Sequence, residues 1–467
     1  MEEDRSKEKA ALFTVMTTSF MVTFMGSSVN LALPAMGHDF GSNAVMTSWI
    51  ITAYILSSAV FLLPLGRLAD IRGRRRIYLL GTVLYALITL LVPISTSIHM
   101  VIILRILQGI SAAMIFGTGM AILSAVYPPQ RRGKALGYSV SVTYLGLSTG
   151  PVLGGMMNHY LGWGSIFYLT AVMGLAAAFG IYTRLQGEWI GAPGERFDVT
   201  GTLLYITGLM ALLYGLSSID SSQWSRYLAL AGIVLLVVFI RWELKTHEPI
   251  LQVDMFKDNM AFTMSNMAAL INYSATFAVT FLLSIYLQVV QGYSSQTAGF
   301  ILLAQPLMMA LLSPVAGALS DRMEPRKVAS LGMACSALSL FFFIFLRLDT
   351  APGFLVANLL LAGLGFALFS SPNTNAIMGS VNIRFYGIAS SFLGTMRLVG
   401  QAMSMSIVTL FITIFVGRVA LNAADPVNLL AMMRVSFIVF TVLCVFGIVA
   451  SLARGRVHEA KGEGHLL

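Results

Sequence analysis

Asp70 is a carboxylate set among five arginines, in the run Gly66-Arg67-Leu68-Ala69-Asp70-Ile71-Arg72-Gly73-Arg74-Arg75-Arg76. An acid so placed can accept hydrogen bonds from a helix N-terminus and pair with an arginine, which makes a contact able to form and break. Gly66, Asp70, Arg74 and Arg75 are therefore a candidate gate latch, with the glycines at either end permitting a tight turn. An ordinary basic turn would explain the arginines but not the acid. Arg105 and Arg397 offer a second chemistry, because each lies within an apolar run, where a charge is costly unless it faces a cavity or a partner. Arg105 sits roughly 9 Å from a helix end, close enough to snorkel, whereas Arg397 lies near the middle of its run, ahead of Gly400 and Gln401. None of the 20 Asp and Glu or the 6 His falls inside such a run. Two embedded cations without an embedded acid make an electropositive cavity, favouring anionic, zwitterionic or neutral amphipathic compounds over lipophilic cations. Met25, Asn30, Trp49, Tyr54, Gln108, Tyr144, Asn272, Tyr273 and Gln305 are the groups able to line it with the two arginines; packing or lipid contact is the plainer role of each.

Apolar helices must hold these residues. With 57% hydrophobic and 10% charged residues over 467 positions, the chain carries about half the charge of a soluble domain, which excludes a water-soluble globule. The net charge of +9 is scattered over short loops and offers no continuous basic face for nucleic acid. Cys335 and Cys444 lie far apart in apolar runs, so neither a disulfide framework nor a cysteine-based metal site is expected. Fourteen runs are long enough to cross a bilayer: about 11–34, 46–66, 77–96, 100–126, 135–157, 163–183, 199–217, 227–241, 260–289, 296–320, 328–346, 352–372, 385–416 and 431–453. Residues 1–9 lead straight into the first, so no cleavable signal is expected. With both termini cytoplasmic, the inner segments hold 23 of the 29 Lys and Arg, which is the positive-inside pattern of a multi-pass cell-membrane protein.

The chain also repeats itself. Gly66-Arg67-Leu68-Ala69-Asp70 returns 251 residues on as Gly317-Ala318-Leu319-Ser320-Asp321, and Gly137 and Gly150 return 250 residues on as Gly387 and Gly400. Two homologous halves of six helices with an inserted pair satisfy that arithmetic: 1–183 as one bundle, 184–259 as the inserted pair with its linkers, 260–453 as the second bundle, and 454–467 as a cytoplasmic tail. Parallel repeats around a midplane cavity are a transporter architecture. In the fifth span Gly137, Gly146, Gly150, Pro151, Gly154 and Gly155 make a stripe almost free of side chains, which permits close helix approach and a bend.

The loop at Gly66–Arg76 resembles the signature loop of the major facilitator superfamily, and Leu104-Arg105-Ile106-Leu107-Gln108-Gly109 resembles its fourth-helix motif. The fifth-span glycines match, without a gap, the antiporter motif of that family. Together with Trp49, Tyr54, Asn30-Leu31-Ala32-Leu33-Pro34 and Phe197-Asp198-Val199-Thr200-Gly201, they are similar to the fourteen-helix drug:proton antiporter branch. The resemblance implies a major facilitator fold, an all-α polytopic membrane protein of two six-helix bundles plus two inserted helices. It also implies a fifth-span seal between the halves that favours exchange over leak. Met25 departs from the branch, which carries an Asp there associated with proton coupling or cation recognition, and Gly164-Ser165 and Thr170-Ala171 depart in the sixth span.

The function expected is secondary transport by alternating access, exporting amphipathic small molecules in the manner of multidrug efflux proteins. Protons are one candidate coupling ion, and a transporter of organic anions or lipid-like compounds with another ion is the first alternative. No ATP-binding loop occurs, so a gradient must supply the energy. A channel would need a filter loop or charge ring, and a membrane enzyme clustered His, Asp or Cys; the sequence shows neither. A transporter-like receptor or scaffold is the alternative of another class. No enzyme activity, cofactor, metal or nucleic acid is expected, and the chain reads as a monomer in the lipid bilayer.

Overall fold

The computed structural model describes residues 2–217, 223–256, 259–381, 386–417 and 419–455, and its regular structure there is helical throughout. The first six helices are α1 (Glu2–Asp39), α2 (Ala44–Arg72), α3 (Arg74–Leu91), α4 (Ile98–Val126), α5 (Pro129–Leu161) and α6 (Gly164–Arg184). An inserted pair follows, α7 (Val199–Ser217) and α8 (Gln223–Glu243). The second half comprises α9 (Met260–Thr276), α10 (Val279–Ile285), α11 (Ser295–Leu302), α12 (Ala304–Arg322), α13 (Pro325–Phe343), α14 (Pro352–Gly379), α15 (Tyr386–Phe415) and α16 (Pro426–Ala453). Thirteen segments among the described residues are long and apolar enough to cross a membrane. Helix α5, the remaining one of the fourteen expected spans, is 33 residues long but stands outside that set. Its glycines, serines and threonines lower its hydropathy.

Helical backbone satisfies its own polar groups, as hydrocarbon requires. Two expected spans are nevertheless interrupted. The ninth breaks between α9 and α10, where the Ala278 N–H donates to Ser404 Oγ of α15 at 3.1 Å, a side chain entering the helical ladder. The tenth breaks at Leu303, between α11 and α12, because Pro306 has no N–H to return to Leu302. The eighth span runs longer than expected, over Gln223–Glu243. Gly66 does not make a turn: α2 continues to Arg72, and Gly73 alone reverses the chain at φ +112°. Gly66 instead lets α4 approach, since a Cβ on Gly117 would lie 3.2 Å from Gly66 Cα.

In the first half α1 packs against α5 and α6, α2 against α4, and α3 against α4 and α6; in the second, α13 and α12 pack on α14, and α15 and α16 on α9. The α7–α8 hairpin rests on α2 and α15, one helix from each half. The halves meet mainly along α2 with α15 and α5 with α11. Arg454, at the start of the expected tail, is 1% exposed and donates to Ser451 O and Asn373 Oδ1. Burial lowers its guanidinium pKa to about 10. Residues 456–467 of that tail, and Arg384, lie outside the described residues.

Candidate functional site

The expected residues fall into three groups. The first is the loop expected to act as a latch, on the side of the molecule where α1 begins and α16 ends. Arg74 Nε donates to Asp70 Oδ1 at 2.7 Å and its Nη1 to Ala121 O of α4 at 3.2 Å. Arg75 caps the C-terminus of α6 by donating to the carbonyls of Leu185 and Tyr182, as the negative end of a helix favours. The 185–198 segment closes over the loop. The Gly191 and Ala192 N–H groups donate to the Asp70 carbonyl at 2.9 and 3.0 Å, Glu188 Oε1 accepts the Arg75 N–H at 2.7 Å, and Glu195 pairs with Arg67. Glu188 and Glu195 had no sequence signal beyond opposite charge in a neighbouring linker.

The second group is the seam on α5, and it divides in two. Gly146, Gly150 and Gly154 face α1: added Cβ atoms would overlap Thr23, Ser27 and Ser28, and Ser28 Oγ donates to Gly150 O at 3.0 Å. Gly155 and Pro151 face α11 of the other half. There Ser295 Oγ donates to Gly155 O at 3.1 Å, and Gly299 closes on Pro151 O. A Cβ added to Gly137 would meet nothing within 4 Å among the described residues. The seam belongs to a larger closure on the side distal to the termini. Ser284 Oγ donates to Asn30 O at 2.7 Å, and Thr409 Oγ1 lies 3.3 Å from Ser48 Oγ and 3.2 Å from Thr52 Oγ1.

The third group is the set of proposed lining residues, and it scatters. Arg105 is 1% exposed inside the first bundle, donating from Nε to Ile50 O at 2.9 Å and from Nη1 to Gln108 Oε1, with its guanidinium 4.1 Å from the Tyr54 ring centre. Gln108 in turn donates to Thr89 Oγ1 at 2.6 Å. These partners come from α2, α3 and α4. Met25 is buried in the core, and Trp49 turns to the inserted pair, 5.6 Å from the Tyr214 ring. Asn272 is buried with both amide atoms unpartnered, while Gln305 lines a small cavity of the second bundle with Thr276, Ser336 and Ser339.

Tyr144, Tyr273 and Arg397 do converge, between the halves. Tyr144 Oη lies 3.3 Å from Ser370 Oγ of α14, and the Tyr273 hydroxyl is within hydrogen-bonding reach of Ser370 and Arg397. The Arg397 guanidinium lies 5.7 Å from the ring centre of Phe116 on α4, and Phe366 meets Tyr273 edge-on at 5.5 Å. All six residues are half-buried. The Arg397 Nε is buried without a partner, so this cation retains a donor for an incoming acceptor. Phe116, Phe366 and Ser370 could not be singled out by sequence, since apolar helices hold many such residues.

A polytopic helical protein whose two halves meet around a central polar cluster has the architecture of a membrane transporter. The chain belongs to the Major Facilitator Superfamily, whose family model matches residues 15–242 and 266–465. It is 31% identical over 81% of its length to the riboflavin transporter RibZ of Clostridioides difficile, covering 82% of that protein. It is 28% identical to the multidrug resistance protein Stp of Mycobacterium tuberculosis over 85% of this chain and 75% of that one. With the tetracenomycin C resistance and export protein of Streptomyces glaucescens it shares 26% identity over 89% and 78%. A solved structure of the peptide transporter POT in complex with sulfate superposes with a TM-score of 0.70 at 16% identity, covering 96% and 95% of the two chains. That likeness is one of fold.

Proposed function

We propose that this transporter works by alternating access in the cell membrane, with both termini cytoplasmic, and exports amphipathic small molecules that bind at Tyr144, Tyr273 and Arg397. The observation that carries the reading is the buried, unpartnered Arg397 Nε beside two tyrosines and two phenylalanines. A planar compound stacked on the rings, with a carbonyl or acid oxygen on the guanidinium, satisfies both features. The distal closure by Asn30, Ser48, Thr52 and Gly155 leaves loading from the terminal side, which the lysine and arginine bias makes cytoplasmic. Asp70, Arg74 and the 185–198 segment form the latch on that side, and protons are the coupling ion to be tested first. The names of the relatives support export of resistance compounds, and also riboflavin as a first probe of a neutral planar substrate. The test is flux in liposomes carrying the purified chain under imposed pH and sodium gradients, with riboflavin, an aromatic acid and a lipophilic cation compared. Gradient-driven uptake of the neutral or acidic compound is expected; transport of the cation alone refutes the cavity assignment, and no flux of any compound favours a receptor or scaffold.

A further inference from the structure

Asp198 immediately precedes α7 and Glu243 ends α8, so the inserted pair brings two carboxyl groups together at its base. Glu243 is 3% exposed. Its Oε2 accepts the Leu251 N–H at 2.7 Å, but its buried Oε1 has no donor. Asp198 accepts the Gly201 N–H on Oδ1 at 2.9 Å and the Trp242 indole N–H on Oδ2 at 3.0 Å. A Cβ added to Gly201 would overlap both Asp198 Oδ2 and Glu243 Oε1, so the two acceptors share one small space beside that glycine. Two carboxylates in contact, one of them buried, are not both ionised at neutral pH unless a cation lies between them. The charged group acting on Glu243 is Asp198. Arg241, Lys245 and His247, on the same stretch of chain, are exposed, and Glu248 accepts the Arg196 N–H. From the helices packed on the hairpin, Arg67 of α2 pairs with Glu195 and Arg397 of α15 lies beside Tyr273.

We propose that Glu243 and Asp198 form a proton-binding site, holding one proton between Oε1 and Oδ2, and that its loss to water loosens the base of the inserted pair. The site stands where two linkers meet. On one side, 185–198 is bound to the latch loop through Asp70 and Arg67; on the other, Leu251 leads towards α9 and the second bundle. Ionising both carboxyls repels these strands from one another, so the proton couples the latch side of the first bundle to the entry of the second. This inference does not depend on which compound is carried.

The experiment uses the purified full chain in detergent. At neutral pH its infrared spectrum should contain a protonated-carboxyl C=O band that E243Q removes. The other buried acid among the described residues, Glu8, pairs with Arg131. The thermal midpoint of the wild type should fall as pH rises from about 5 towards about 7, because the unfolded chain releases its carboxyl protons first. In E243Q, whose amide can donate to Asp198, that fall should be at least halved. A wild-type spectrum without the band at neutral pH overturns the proposal even if the variant fails to fold, and so does a band or pH slope unchanged in E243Q. A midpoint that responds to added sodium or calcium rather than to pH assigns the site to a metal cation and equally overturns it.

Discussion

Arg105 in the first bundle and Arg397 in the second are both arginines within apolar helices, yet they differ in what their surroundings leave over. The Arg105 guanidinium is fully enclosed, with a carbonyl, a glutamine and a tyrosine face on three sides. Arg397 is half-buried, faces the space between the halves, and keeps a buried Nε without a partner. An embedded charge therefore marks a ligand site only when its donors are not already used by its own bundle. The first arginine joins three helices together; the second keeps an unused donor and is the one the proposed function gives to a substrate.

The largest effect should come from Arg105→Ala, which leaves Ile50 O and Gln108 buried without their donor. A loss of about 3 kcal/mol is expected, seen as a collapse of the monodisperse peak in size-exclusion chromatography. Wild-type yield and thermal midpoint in this variant would break the comparison. Gly150→Leu comes next, because the side chain must overlap Ser27 and Phe24 of α1, at a cost of about 2 kcal/mol. Gly155→Ala should spare the bundle but press on Ser295 of α11, shifting cysteine-accessibility labelling towards a state open on the distal side. If both variants change stability alike, the two faces of α5 do not have separate roles.

Arg397→Gln should reduce transport of an aromatic acid about tenfold, the equivalent of roughly 1.4 kcal/mol, while the thermal midpoint stays near the wild type. A large fall in midpoint with unchanged transport would make Arg397 a second structural arginine. Asp70→Asn is expected to have the smallest effect on stability, below about 1 kcal/mol, because its pair with Arg74 is partly exposed. Cycling should slow several-fold, read as transport rate at matched protein amount, and wild-type turnover would remove the latch role.

Some of the site was legible residue by residue. Asp70 was notable because an acid amid arginines requires a reason, and Arg74 does pair with it. Tyr144, Tyr273 and Arg397 were among eleven possible lining residues, and their meeting depended on Ser370 and Phe116 from two other helices. Trp49 and Met25 looked equally eligible; one meets the inserted pair and the other the core. The reversal at Gly73 could be placed in the loop but not assigned to one residue, since Gly66 carries the same local signal.

What the sequence by itself determined is the set of apolar helices, their family, and the short motifs that face a chain neighbour, because hydrocarbon admits only self-satisfied backbone and local spacing sets local contact. The tertiary structure alone decided which side of each helix meets which partner. A run apolar on every side carries no strong rotational signal. The α9 break illustrates this: Ala278 loses its ladder bond to Ser404, 126 residues away. The same holds for Glu243, whose position at a helix end was visible but whose contact with Asp198 exists only because α7 and α8 fold back upon each other.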